Sequence, residues 1–402
     1  GQGPRTPEGG DVSAVNEGLP IARVLGRRPA TNLRRNPAAP WRHLDVVLVG
    51  ALFALSAVGV LMVYAATRGP GGDEPLDTSF LKRQALFVLI GVAVMAVTAL
   101  IDYRRYRDWA PVLYGGGVVL LALVLSPLGS ARKGTQAWFE LSIFQLQPSE
   151  FAKLGVIVGL AALIAQYRWE IGLRRLLLCL LVAGVPLALI MVQPDLGTGL
   201  VIIAVAAGGL LVGGASFRQL GAIVLFGALA SVAILQTDVL EDYQRARLTS
   251  FLDQSSDLQG ASYNQNQSQI AIGAGAITGK GLFQGTQTRL RNVPEQHTDF
   301  IFTAVGEELG LMGTATLLAL FGIIVFRIWR TAQLSRDPFG TILCVGVLSM
   351  LLFQIFQNVG MTMGIMPITG IPLPFVSYGG SSAITHFCAM GLVLNVHMRR
   401  FS

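Results

Sequence analysis

The sequence predicts an all-α polytopic membrane protein with ten spanning helices and one large polar loop between the seventh and eighth. Three observations carry that reading. Hydrophobic residues make up 52% of the 402-residue chain and charged residues only 13%, with a mean hydropathy of +0.58, far from the averages of soluble domains. About ten runs of eighteen or more residues are almost free of charge, each long enough for a hydrocarbon core of roughly 30 Å. Between Asp238 and Asp299 no run is apolar enough to span, although the chain on both sides is almost continuously hydrophobic. Loops of that length are generally functional or disordered.

Residues 1–43 are rich in Gly, Pro, Arg and Asn without an apolar period, and are expected to form a disordered basic cytoplasmic tail. The stretch 44–398 reads as one membrane domain. Its spans fall near 44–66, 85–101, 109–128, 150–167, 175–193, 196–214, 218–236, 313–332, 341–363 and 379–398, with an extracytoplasmic loop at 237–312. Lys and Arg accumulate in cytoplasmic loops, and every second connection is Arg-rich. Arg34, Arg35 and Arg42 precede the first span, Arg104, Arg105 and Arg107 follow the second, and Arg174 and Arg175 follow the fourth. Arg218 precedes the seventh, Arg327, Arg330 and Arg336 follow the eighth, and Arg399 and Arg400 follow the tenth. The loop after the first span carries Asp73, Glu74 and Asp77 instead. Both termini are therefore expected inside and the long loop outside. The net charge of +7 needs no nucleic acid, because topology and anionic inner-leaflet lipid account for it.

One span needs a break. From Phe300 to Arg330 the chain is apolar for about 31 residues, or roughly 46 Å of helix, well beyond the core thickness. Glu307, Glu308, Gly310 and Gly313 interrupt it. The expectation is a half-helix from Asp299 to about Leu309, with Asp299 as N-cap, and a true span starting near Gly313. Cys179, Cys344 and Cys388 lie in apolar runs at no disulfide or metal spacing, and they read as packing residues. No Walker motif, zinc signature or Gly-rich nucleotide fingerprint is present, which argues against nucleotide-driven chemistry.

The candidate site gathers at the polar interruptions. Glu295, His297, Thr298 and Asp299 end the long loop at the lip of an apolar segment, where a carboxylate meets lipid headgroups. Asp299 as helix cap and Asp299 as catalytic group weigh about evenly on motif chemistry alone, since a capping carboxylate contributes roughly 0.5–2 kcal/mol without catalysis. Lys133 and Trp138 lie in the outer loop before the fourth span. Glu150 and Lys153 follow at i and i+3 on one helix face. A mutual ion pair is their plain reading. An ionisable pair inside the membrane boundary is nevertheless costly and tends to face a cavity or partner, and Lys suits a phosphate. Ser377 and Tyr378 sit in a Pro- and Gly-broken loop and offer hydroxyls to a polar headgroup, beside a plain role in a tight turn. Asp195 reads as a turn or cap residue. Gln267 belongs to an amide-rich stretch, Tyr263 to Ile270, that either hydrogen-bonds sugars or decorates a surface helix.

The order QPSEFAK, QPDLGTG, YNQNQSQIAIGAGAITGKG, PEQHTDFIFTAVGEELG and GIPLPFVSYGGSS resembles the SEDS family of bacterial cell-wall polymerases, over about 44 to 398. Gly285-Thr-Gln287 and the stretch from Phe356 to Gly370 look more like the elongation branch (RodA) than the division branch (FtsW). The resemblance implies a ten-helix protein of the bacterial cytoplasmic membrane, a peptidoglycan glycosyltransferase that polymerises lipid II outside the membrane and releases undecaprenyl pyrophosphate. The family's essential loop aspartate matches Asp299, and its polar cavity pair matches Glu150 and Lys153. One departure is Ala137, where many relatives carry Arg before the tryptophan; Lys133 or Arg132 would have to replace that charge. On this reading Asp299 acts as general base or holds a divalent cation (Mg2+ or Mn2+), with no cofactor otherwise implied. Lys153 helps the leaving pyrophosphate, and displacement is direct, with inversion. A class B penicillin-binding protein is the implied partner. The alternatives are a division-branch polymerase of the FtsW type, a lipid II flippase and a recruiting scaffold. The position of the acidic cluster at one face argues against transport, because transporter sites lie near the midplane.

Overall fold

A computed structural model describes residues 43–69, 76–132, 135–140, 145–166, 171–235 and 263–400. Residues 1–42, Lys133 and residues 236–262 of the long loop lie outside them. Helix α1 (Val46–Thr67) starts where the Asp45 carboxylate accepts the Leu48 N–H. It is followed by α2 (Ser79–Leu100), the short α3 (Tyr103–Asp108) and α4 (Ala110–Val124). Then come strands β1 (Ser130–Arg132), β2 (Thr135–Glu140) and β3 (Gln145–Leu146). Helix α5 (Pro148–Ala165) opens on Pro148, whose fixed φ and missing N–H suit a first helical position. Helix α6 (Leu173–Val192), α7 (Leu196–Val212, capped by Asp195 on Thr198 N–H) and α8 (Phe217–Leu235) complete the first part. The long loop holds α9 (Tyr263–Ala274) and α10 (Thr286–Arg289), and α11 (Ile301–Leu334), α12 (Pro338–Thr362) and α13 (Gly380–Met398) follow it.

Six of these helices, α1, α2, α5, α6, α11 and α12, are long and apolar enough to cross a membrane; α4, α7 and part of α8 are shorter and apolar. The chain is thus a multi-pass helical membrane protein. The three antiparallel strands, in the order β1-β2-β3, depart from the all-α expectation. In β2 only Ala137 is fully buried, and the strand lies against α4 and α5, which it contacts.

Helices α5 and α12 form the interior: 72% and 61% of their most apolar windows are buried, against 28% for α6 and for α11. Ile157 of α5 meets Gly346 of α12 so closely that a Cβ on the glycine would lie 2.8 Å from it. The outer helices turn large apolar side chains outward, among them Leu89, Val112, Leu181, Phe226 and Trp329. So wide an apolar exterior fits hydrocarbon instead of water.

The predicted break in α11 falls at Gly310, with φ 64° and ψ −160°, a region that favours glycine. Breaking a helix at membrane depth strands carbonyls on one side and N–H groups on the other. The segment just after α9 supplies both sets. Lys280 and Gly281 N–H donate to the carbonyls of Glu307 and Glu308, while Leu311 and Met312 N–H donate to those of Ala276 and Ile277. The half-helix begins at Ile301 with Phe300 at the cap position and no side-chain cap. The N-cap expectation for Asp299 is therefore corrected. Asp299 belongs to the turn before the helix, where its N–H donates to Glu295 O.

Candidate functional site

The site lies at the end of the bundle where α1, α4, α6, α8 and α12 finish and α5, α7, α11 and α13 begin. Asp299 is half-buried there, in a turn whose three N–H groups, of Thr298, Asp299 and Phe300, converge on Glu295 O. Glu295 itself takes φ 54°, the left-handed region that a glutamate adopts only when its surroundings hold it. The Thr298 hydroxyl donates to both the carbonyl and the carboxylate of Glu295, at 3.1 and 3.2 Å. Behind the turn, the buried Asn358 of α12 donates to Asp299 O and to Ile371 O, each at 2.8 Å. A Cβ on Gly370, whose φ is 70°, would stand 3.3 Å from Asp299 Oδ2. His297 packs edge-on to Phe80 (5.1 Å between ring centres) and lies 5.6 Å from Tyr378, whose N–H donates to His297 O.

The second group is interior. Lys153 Nζ lies 2.8 Å from Glu150 Oε1, and both side chains are almost wholly enclosed, 1% and 3% exposed. The other carboxylate oxygen, Glu150 Oε2, is buried without a partner. Asp195 lies within electrostatic range, and burial pushes its carboxyl up although the Thr198 cap and Lys153 oppose that. Gln147 reaches Asp195 Oδ2 at 3.4 Å.

The segment 369–382 runs between the two groups. A Cβ on Gly197, two residues after Asp195, would meet Thr369 O at 2.7 Å and Ile371, and Gly370 adjoins Asp299. At its far end Ser381 Oγ accepts from Gln147 N and donates to Gln145 O. One loop thus ties the Asp299 turn to the start of the helix that carries Glu150 and Lys153.

The remaining sequence candidates are placed as follows. Ser377 spends its hydroxyl on Leu373 N (2.8 Å) and its carbonyl on Gln84 Nε2 (3.1 Å), so it shapes the loop. Tyr378 is partly buried against Phe80 and Phe87. Trp138 is partly exposed in β2, and its carbonyl accepts from Ser130 Oγ. Ala137 is 2% exposed and faces the interior. Gln267 lies partly exposed on α9, but its neighbours Gln265, Ser268 and Gln269 donate to carbonyls of Met361, Met366, Thr362 and Met363 at the end of α12. The amide-rich stretch therefore satisfies orphan helix carbonyls. Asn358, Gln354 and His386 were not singled out from the sequence. A polar residue inside an apolar run was the available signal.

Among the described residues no group of three His, Cys, Asp or Glu is placed to hold a metal ion. Asp299 and Glu295 supply carboxylate oxygens at the surface of the loop, and Lys153 supplies a buried cation. Such a set can take a proton from a hydroxyl and meet a phosphate; it is not a preformed metal cage.

The profile of the FtsW/RodA/SpoVE family, described as cell cycle protein, matches residues 45–401. The chain is 38% identical over 359 residues to the peptidoglycan glycosyltransferase MrdB of Escherichia coli K12, covering 89% of this chain and 94% of that protein. Among solved structures it is similar to a chain from a peptidoglycan synthase complex that coordinates polymerisation and crosslinking. There the TM-score is 0.75 at 32% identity, over 89% of this chain and 99% of the other. It is also similar to an aspartate-to-alanine variant of the rod shape determining protein RodA of Thermus thermophilus, with a TM-score of 0.68 at 29% identity over 89% and 99%.

Proposed function

This chain belongs to the FtsW/RodA/SpoVE family of cell cycle proteins, and from that premise we infer that it is a peptidoglycan glycosyltransferase that polymerises lipid II into glycan strands during cell elongation. The observation that carries the reading is the placement of Asp299: a half-buried carboxylate, held through its backbone by Asn358, at the mouth of the loop that leads to Lys153.

The chemistry follows from those groups. The 4-hydroxyl of the acceptor sugar attacks the anomeric carbon of the lipid-linked donor and passes its proton to the Asp299 carboxylate. The new glycosidic bond forms as the anomeric C–O bond breaks, and the electron pair leaves with undecaprenyl pyrophosphate. A positioned base typically contributes roughly 10²–10⁴-fold, and Lys153 stabilises the charge that builds on the leaving group. A divalent cation (Mg2+ or Mn2+) would be held by the Asp299 carboxylate and would supply Lewis-acid help to the leaving pyrophosphate. Polymerisation in excess chelator checks whether the reaction needs that ion, and full activity there is the expected result.

The ten apolar runs each coincide with a helix, which supports ten spans with both termini cytoplasmic and this site extracytoplasmic. The resemblance to a chain from a complex that polymerises and crosslinks supports a class B penicillin-binding protein as partner. The deciding experiment is polymerisation of purified lipid II by detergent-solubilised protein with that partner. Glycan strands from wild type and none from Asp299→Ala, at equal folding, are expected. Polymer from both would overturn the role of Asp299.

A further inference from the structure

The Lys153–Glu150 pair presents a problem that the reaction must solve. Lys153 is enclosed and bound to Glu150, so it can meet a pyrophosphate only by leaving that carboxylate. A buried carboxylate stripped of its partner is strongly unfavourable. Something must take its place.

The antiparallel register of α5 and α12 identifies the candidate. From the contact of Ile157 with Gly346, about 12 Å along each helix toward the loop end leads to Ser149 on α5 and Gln354 on α12. Gln354 is thus level with Glu150. Both residues carry a buried polar atom without a partner: the acceptor Glu150 Oε2 and the donor Gln354 Nε2. The other end of the Gln354 amide is held. Its Oε1 lies 2.8 Å from His386 Nε2 on α13, and His386 lies within electrostatic range of both Glu150 and Lys153. Ser382 meets His386 Nδ1 with its hydroxyl at 3.2 Å and its carbonyl at 2.6 Å. A ring protonated on Nε2 alone accepts from the hydroxyl at Nδ1, and a ring protonated on both nitrogens donates to the carbonyl. With Gln354 Oε1 as the acceptor beside it, Nε2 carries the proton in either form.

We propose that Gln354, oriented by His386, is the exchange partner of Glu150: its amide NH2 takes up the Glu150 carboxylate, directly or through one water, when Lys153 swings onto the substrate's pyrophosphate. Both are positioning residues, acting through Lys153. The proposal rests on the assignment of Lys153 as the pyrophosphate anchor.

The test is binding of undecaprenyl pyrophosphate to the detergent-solubilised full chain, which needs no turnover. Kd is measured for wild type, Lys153→Ala, Gln354→Met, His386→Phe, and each of the last two combined with Lys153→Ala. Gln354→Met is close in size to the native residue and keeps the test open where His386→Phe fails to fold. Weakening by roughly tenfold in Gln354→Met and His386→Phe, with no further loss once Lys153 is alanine, is the expected result. Wild-type affinity in Gln354→Met beside weakened binding in Lys153→Ala overturns the exchange and leaves the anchor intact. Losses that multiply in the double variants overturn it as well, since they place Gln354 on a separate path. Wild-type affinity in Lys153→Ala overturns the anchor itself and the exchange with it.

Discussion

Asn358 decides where the Asp299 turn stands, because one amide serves two carbonyls from different loops, those of Asp299 and Ile371. Replacing it with leucine leaves both carbonyls short of a donor, at about 1–3 kcal/mol for a buried group. Asn358→Leu is therefore expected to fold with a lowered Tm and to lose polymerisation by roughly tenfold to a hundredfold. Asp299→Asn keeps the shape and removes the base. Its Tm should match wild type while the rate falls by about 10²–10⁴, and thermal melts beside lipid II turnover separate the two. Ionisable residues at apolar boundaries made Asp299, Glu150 and Lys153 legible in the sequence. Asn358 was not, because its partner Asp299 lies 59 positions away and nothing local marks a polar side chain as a long-range donor.

At the level of elements, the half-helix is fixed by its own acid. Glu307, in the half-helix before the Gly310 break, accepts from the N–H groups of Gln287 and Thr288, the Thr288 hydroxyl at 2.8 Å and Lys280 Nζ at 2.9 Å. Removing the charge leaves those donors facing a weaker acceptor in a buried site. Glu307→Gln is therefore expected to fold with a stability lowered by about 1–3 kcal/mol, read from thermal melts, and an unchanged Tm would rule out Glu307 as the anchor of the half-helix. The break itself was readable from length, the two glutamates and the glycines. The filling segment was not: its nearness to the break shows only in three dimensions, where a Cβ on Gly279 would fall 2.2 Å from Glu308 O.

Across the whole molecule, charge and hydrogen bonding divide the two ends of the bundle. One end collects Arg104, Arg105, Arg174, Arg330, Arg336 and Arg400. At the other end Arg68 donates to Phe283 O, Arg291 to Thr67 O, and Lys280 pairs with Glu307, while Lys82 and Arg83 at the start of α2 are exposed. A cation fixed to the long loop serves the fold, so the arginine bias that sets orientation survives these exceptions. Helix positions were legible because an apolar run must be about as long as the bilayer is thick. The strands before α5 were not, since three short strands in a loop leave almost no periodic signal. The orientation makes a direct prediction. Gln269 is exposed on α9 at the loop end, and Gly172, at the opposite end, has open space where a Cβ would go. Cys179 and Cys344 are buried, so a Cys388→Ser background carries little native thiol reactivity. In that background, Gln269→Cys should react with a membrane-impermeant maleimide on intact spheroplasts, and Gly172→Cys only after the membrane is opened. The reverse pattern would put Asp299 on the cytoplasmic side, away from any externally assembled glycan, and the polymerase reading would have to be given up.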